Sequence, residues 1–409
     1  MMSDLWQTIR DEGESSVYHF GTYRVAPPSQ TLRRIRPYLG HAGITRLADV
    51  TGLDYLGVPV YQAVRPASRN ISVSQGKGLT REQAQVSALM ESLESFHAEN
   101  IPLPSRRETV SAMRRELRYS LTALPLIRKT VGASCRRREY DLFAPPVGAP
   151  TFLRDSMPID WLPATDLSDG TSTWVPRQLC ELNFCVGRRL CLPLFRATSN
   201  GLASGNNITE ALIHGLCEVI ERDSAHRNKT AWADPAHCIN CSTISSRIIE
   251  RLLERFARCG VKTHIVDVSG PTGLPCFEAF IADFESATYK GLGCHMNRST
   301  ALLRALTEAA QGRLAHITGS RDDLYRSTYR LTPLAEPKQK LPSVAESRKS
   351  FTDAPTLPVS DLSAALKEIV RRVRTATGFS PLAVNLTKTE FNIPVVFVVA
   401  PGLKPPTAH

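Results

Sequence analysis

Three stretches of the chain place carboxylates at one shared spacing: AQVSALMESLE (84–94), ALIHGLCEVIE (211–221) and ALLRALTEAAQ (301–311). In each, a small residue recurs after four positions. A glutamate follows three later, and Glu or Gln three beyond that. At about 100° per residue, Ser87, Glu91 and Glu94 share an arc of roughly 60° on a helix, with Leu89, Leu93 and Phe96 opposite. Asn206, Glu210, Glu218 and Glu221 share an arc of roughly 120°, with Leu212, Leu216, Val219 and Ile220 turned away. One explanation is the solvated side of amphipathic helices, where glutamate is common. Such faces usually mix lysine and arginine with the acids, however, and the second arc has almost no base before Arg222. Like charges gathered this way need a cation to offset them. Magnesium meets that need with hard oxygen ligands, and it commonly bridges to nucleotide phosphates.

The small residues at i and i+4 let each helix lie close to a neighbour, and three copies point to duplicated structural units. Ser74-Gln-Gly76-Lys77-Gly78 precedes the first helix, and the run Thr198 to Asn207 precedes the second. Both read as turns whose backbone amides suit phosphate, with Lys77 as a point charge. Neither a G-x-x-x-x-G-K-[ST] loop nor a G-x-G-x-x-G after a strand is present, which excludes P-loop and Rossmann nucleotide sites.

Helical periodicity is clear near 80–99, 207–226, 247–258, 298–318 and 361–376, with a further helix near Gln30–Tyr38. Strands are expected near Gly57–Arg65, Thr263–Val268, Cys276–Asp283, Leu382–Leu386 and Pro394–Val399. The section from Arg326 to Val359 is rich in proline, serine and charge and reads as a surface loop. Alternating elements predict an α/β (α+β) enzyme with mixed sheets, divided into a lead-in at 1–60 and a main domain at 61–409.

The chain has 409 residues, enough for a sizeable core, and no apolar run long enough to span a membrane. The absence of an export signal and ten scattered cysteines fit a reduced cytoplasmic setting. The net charge of +11 is concentrated between Arg106 and Arg138. That block is either a solvated face or a surface that draws anions, and nucleic-acid binding is the weaker reading because no DNA- or RNA-binding signature accompanies it. Cys238-Ile-Asn-Cys241 is a lone CxxC, too little for a zinc framework; a sulfur relay is the alternative to an incidental pair. His214 and Cys217 read as packing residues. His295 is either near the site or a cap for the third helix.

The segments SQGKGLTREQAQVSALMESLES, ATSNGLASGNNITEALIHGLCEVIERDS, GCHMNRSTALLRALTEAAQGR and VVFVVAPGL resemble the YcaO family, and the motif Asn206-x3-Glu210-x7-Glu218-x2-Glu221-Arg222 carries most of the resemblance. It covers most of the chain from about residue 60 onward. The resemblance implies a YcaO-like fold with an ATP site built from acidic helices rather than a phosphate loop. On matching positions it implies that Glu91, Glu94, Glu210, Glu218 and Glu221 hold magnesium. Lys77, Ser87, Asn206, Arg222 and Arg313 would contact ATP, with Gln311 close by. No catalytic residue is assigned. Ser95 departs from the family, many of whose members carry arginine there.

Family members phosphorylate a peptide-bond oxygen so that phosphate leaves in its place, and the product is a thioamide, an azoline or an amidine according to the nucleophile. Azoline-forming members often end in Pro-x-Pro-x-Pro, whereas this chain ends APGLKPPTAH. It looks more like members associated with TfuA proteins, which implies peptide thioamidation with a TfuA-like partner. Azoline cyclodehydration is the second reading. An ATP-binding accessory protein for ribosomal protein S12 methylthiolation is the third. The resemblance also implies a homodimer, and the lack of an obvious fused leader-binding domain leaves capture of the peptide substrate to a separate partner.

Overall fold

The computed structural model describes residues 4–12, 17–19, 21–127, 152–185, 193–282, 288–322, 347–358 and 361–404. Helices α1 (Asp4–Asp11) and α2 (Pro28–Ile35) flank a hairpin of β1 (Val17–His19) and β2 (Thr22–Arg24). An antiparallel sheet of β3 (Arg46–Asp49), β4 (Val60–Val64) and β5 (Val73–Lys77) leads into α3 (Arg81–Glu99). A larger sheet begins with β6 (Arg106–Thr109), β7 (Pro158–Asp166), β8 (Ser172–Pro176) and β9 (Leu202–Ser204), the last followed by α4 (Ile208–Arg227). Next come β10 (Ile239–Asn240), α5 (Arg247–Arg258), and the antiparallel strands β11 (Lys262–Asp267), β12 (Cys276–Ala282) and β13 (Thr288–Cys294). After α6 (Arg298–Thr318) come β14 (Lys349–Ser350), α7 (Leu362–Thr377), β15 (Leu382–Asn385) and β16 (Val395–Val399). The last two strands complete the large sheet in the order β6-β7-β15-β16-β9, with β8 on the other side of β7.

The three acidic helices are α3, α4 and α6, and each follows a strand: β5, β9 and β13. The small residues of the repeat explain the pairing. A methyl group on Gly76 of β5 would lie 2.0 Å from the backbone nitrogen of Ala88 in α3. On Gly291 and Gly293 of β13 it would lie 2.2 and 2.1 Å from the carbonyls of Ala305 and Ala301 in α6. Strand and helix backbones therefore touch where both sides lack bulk. The start of each helix is set by its own cap: Thr80, Asn207 and Asn297 accept from amides in the first turn. Each helix anchors a separate apolar core. Ala84, Ala88 and Leu93 belong to the first, Leu212, Leu216 and Ile220 to the second, and Leu302, Ala305 and Leu306 to the third.

The expected helices and strands are present, with ends displaced by only a few residues. Three readings change. Ser74–Lys77 lies in strand β5 rather than in a turn, because Gly76 must pack flat against α3. The expected loop at 326–359 is partly core: β14 pairs in parallel with β10, and Phe351 is buried against Phe277. The rest of that loop, apart from 347–358, lies outside the described residues. The boundary at residue 60 cuts through a sheet, since β3 pairs with β4 from Arg46↔Val64 to Asp49↔Tyr61.

Candidate nucleotide and metal site

The acid faces of α3, α4 and α6 converge on a cavity of about 540 Å³. Lys77, Ser87, Glu91, Glu94, Asn206, Glu210, Glu218, Glu221, Arg222 and Gln311 all line it, so ten of the residues singled out from sequence meet in one place. Arg313 does not join them. Two residues after Gln311 on a helix, it points about 200° away. There its Nε donates to Asp54 at 3.0 Å, and its guanidinium lies 4.9 Å from the centre of the Tyr55 ring. Its assignment as a nucleotide contact is therefore corrected to a buried ion pair.

Reading the sequence missed Arg24, Thr31, Arg304 and Glu308, which also line the cavity. Glu308 and Arg304 were legible in principle. Glu308 holds the repeat position of Glu91 and Glu218, and Arg304 lies one turn before it. Arg24 and Thr31 carry no local pattern, because tertiary contact alone brings the N-terminal segment here.

Among the described residues, six glutamates line the cavity (91, 94, 210, 218, 221 and 308), against six bases (Arg24, Lys77, Arg222, Lys290, Arg304 and Arg321), so it is built for a ligand carrying both signs. The acids differ in how they are held. Lys77 Nζ lies 2.6 Å from Glu308; burial alone would raise that carboxyl, but Lys77, then Arg222, hold it well below the usual range. Glu210 accepts from Arg24 at 2.9 Å, from the Val25 amide at 3.0 Å and from the Asn206 side chain at 3.0 Å.

Glu91, Glu94 and Glu218 form no salt bridge among the described residues. Burial pushes Glu91 up to about 7 against the pull of Arg321 and Lys77. Burial pushes Glu94 up to about 8, with Glu218 and Glu91 adding to the rise and the Ser204 hydroxyl opposing it. Glu218 is raised to about 7, again by burial, against Arg222. Glu221 is raised as well; it accepts from the Cys294 amide at 2.9 Å and sits 3.7 Å from Arg222.

These carboxylates fit divalent cations: hard oxygen donors around one cavity, of which Glu91, Glu94 and Glu218 form no salt bridge among the described residues. Among the described residues no three His, Cys, Asp or Glu side chains converge tightly enough to hold a metal ion alone. A magnesium ion here would complete its shell with phosphate oxygens and water, its usual habit. The phosphate reading of the turn before α4 needs correction, because the amides of Asn200, Leu202, Gly205 and Asn206 already donate to Thr198, Ser199, Pro394 and Glu210.

Residues 75–404, well over half of the chain, match the family model described as YcaO cyclodehydratase, ATP- and Mg2+-binding. The chain belongs to the YcaO family. It is 36% identical over 396 residues to an uncharacterized protein of Mycobacterium tuberculosis, covering 94% of this chain and 83% of that one. It is 34% identical over 402 residues to an uncharacterized protein in the tfuA 3' region of Rhizobium leguminosarum bv. trifolii, covering 93% and 88%. The fold is similar to that of YcaO from Methanopyrus kandleri bound with AMPPCP and Mg2+, with a TM-score of 0.68 at 24% identity over 95% and 94% of the two chains. It is also similar to a heterocyclase in complex with substrate and cofactor, with a TM-score of 0.75 at 20% identity over 97% of this chain. The chain spans about half, 55%, of that heterocyclase.

The remaining residues flagged from sequence, His214 apart, are structural or outside the cleft. His295 accepts from the Asn297 amide at 3.0 Å and stacks on Tyr23, which makes it part of the cap of α6. Cys217 is core, whereas His214 does line the cavity. Burial, then Arg304 and Arg24, hold His214 well below the ordinary imidazole range and therefore neutral. Cys238 is buried with its sulfur 3.3 Å from His264 Nε2, and no disulfide joins it to Cys241. In the basic block, Arg106 pairs with Glu116, Arg114 with Asp155, and Arg118 with Asp166 and Asp169, so the described part is offset by acids. Residues 128–138 of that block lie outside the described residues. No described helix is long and apolar enough to cross a membrane.

Proposed function

We propose that this chain uses magnesium-ATP to activate the oxygen of a peptide backbone amide, and that with a TfuA-like partner and a sulfur donor it yields a thioamide. The observation that carries the ATP part is the cavity itself, where buried carboxylates without basic partners face a ring of lysine and arginine. In this reading Glu91, Glu94, Glu218 and Glu221 hold the cations. Glu210 joins them, aimed by Arg24, the Val25 amide and Asn206. Lys77, Arg222 and Arg304 face the phosphates; the Nε of Arg304 is buried without a hydrogen-bond partner among the described residues, which leaves it a donor to give. Ser87, Asn206 and Gln311 position the nucleotide.

Bound ATP supplies the phosphoryl group that turns a poor leaving oxygen into a good one. The protein's part is to fix both partners in a dry cleft. There, charge on the transferring group meets preset cations and guanidinium groups. His214, neutral and carrying a buried Nδ1 with no hydrogen-bond partner among the described residues, does not add a competing positive charge.

Sulfur as the nucleophile is favoured by the relative in the tfuA 3' region. Azoline formation is the second reading, favoured by the family description and the heterocyclase-like fold. The intact acid set stands against an accessory protein without ATP chemistry.

Intact-mass analysis of a candidate peptide incubated with the protein, a TfuA-like partner, magnesium-ATP and sulfide separates these readings. Exchange of one oxygen for sulfur, dependent on ATP, is expected. Loss of one water without need for sulfide would replace thioamidation with cyclodehydration. ATP consumption with no peptide change would remove this peptide as substrate.

A further inference from the structure

The first turn of a helix leaves amides without intrahelical partners. Asn297 accepts from two amides of that turn in α6, Thr80 from that of Gln83 in α3, and Asn207 from that of Glu210 in α4. The two preceding amides, of Ile208 and Thr209, donate at 3.0 and 2.9 Å to the carboxylate of Glu12, which also accepts from the Thr209 hydroxyl at 2.9 Å. Glu12 is half-buried, sits about two hundred residues away in sequence, and does not line the cavity.

Residues 24–34 reach the same end of α4. Arg24 and the Val25 amide hold the Glu210 carboxylate. Thr31 donates to the Asn206 side chain at 2.7 Å, and Arg34 to the Asn206 carbonyl at 2.6 Å. Asn206 and Glu210 are thus held by residues 24–34, and Glu12 holds the amides of Ile208 and Thr209 between them. Glu12 and residues 24–34 precede the residues matched by the family model, which begin at 75.

We propose that Glu12 is a positioning residue of the cation site, holding the first turn of α4 so that Asn206 and Glu210 are presented to Arg24 as one set. The proposal rests on reading the cavity as a magnesium-nucleotide site. Loss of the Glu12 charge loosens the first turn of α4. Glu210 then loses the partners that aim it, and magnesium must do that ordering itself.

The test is ATP binding to the full-length chain by calorimetry across a magnesium series, with melting temperature recorded alongside. Glu12→Gln is expected to raise the magnesium concentration for half-saturation about five- to tenfold, in line with loss of a charge-assisted cap. Glu12→Asp is expected to recover most of that loss. Thr209→Val removes a single bond and guards against a Glu12 variant that does not fold; about a twofold rise is expected. A Glu12→Gln protein with wild-type magnesium dependence, whatever its melting temperature, would overturn the proposal. No magnesium-dependent ATP binding by the wild-type chain would overturn the nucleotide reading and this one with it; normal wild-type binding beside an unchanged variant overturns only this one.

Discussion

Helix α3 buries carboxylates in two ways. At its C-terminal end Glu99 meets the Arg65 guanidinium at 2.5 and 2.7 Å and takes a third bond from Ser68. Both partners are 3% exposed. One turn earlier, Glu94 is also buried, yet its bond is to the neutral Ser204 hydroxyl, and the nearest charges raising its pKa are other acids, Glu218 and Glu91. One helix thus shows an acid fully matched and acids left with an unmet demand for positive charge. A matched ion pair holds the fold, whereas unmatched acids around a cavity store affinity for a cation that arrives with its ligand.

The sharpest way to break this contrast is to remove each side's partner. Arg65→Ala strands a buried charge and should cost about 3–5 kcal/mol of stability, read by chemical denaturation, while leaving ATP use per folded molecule unchanged. Glu218→Gln should do the opposite. ATP turnover at a fixed magnesium concentration should fall roughly a hundredfold, with stability of the ligand-free protein equal to or above wild type. A Glu218→Gln protein with normal turnover would remove that residue from the site.

Titration sharpens the comparison. Folding raises Glu91, Glu94 and Glu218 to about 7, 8 and 7, so the folded chain holds protons that the unfolded chain releases at lower pH. The stability these groups contribute is present below the ordinary carboxyl range and is lost as pH rises through about 7 to 8. Cation binding expels the same protons and so strengthens with pH. Melting curves at about pH 6 and pH 8.5 should show a larger gain from magnesium-ATP at the higher pH; an equal gain would separate these acids from cation binding. The smallest effect belongs to the surface. Arg114→Ala removes an exposed pair with Asp155 and should change stability by less than about 1 kcal/mol.

The acid arcs were legible because a helix turns by a constant angle. Glu91 with Glu94, and Glu218 with Glu221, had to share a face wherever the helices went. The small residues at i and i+4 likewise specified close packing, and Gly76, Gly291 and Gly293 are the surfaces they meet. Periodicity constrains only one element at a time, and the errors follow from that. Arg313 belonged to the right helix, but its direction relative to the cavity depended on where Asp54 and Tyr55 lay. Phe351 sat in a polar, proline-rich stretch, and one aromatic residue was enough to bury part of it.

The sequence by itself determined which residues form helices, where those helices begin, and which side of each carries its carboxylates, because caps and periodicity act over a few neighbouring positions. Only the tertiary structure decided that three such faces would share one cavity. It also decided that Glu12 and Arg24 would reach α4 across nearly two hundred residues, and which buried acids would find a base. Those outcomes depend on contacts between elements far apart in the chain, and desolvation with unlike neighbours, rather than residue type, sets the charge each glutamate carries.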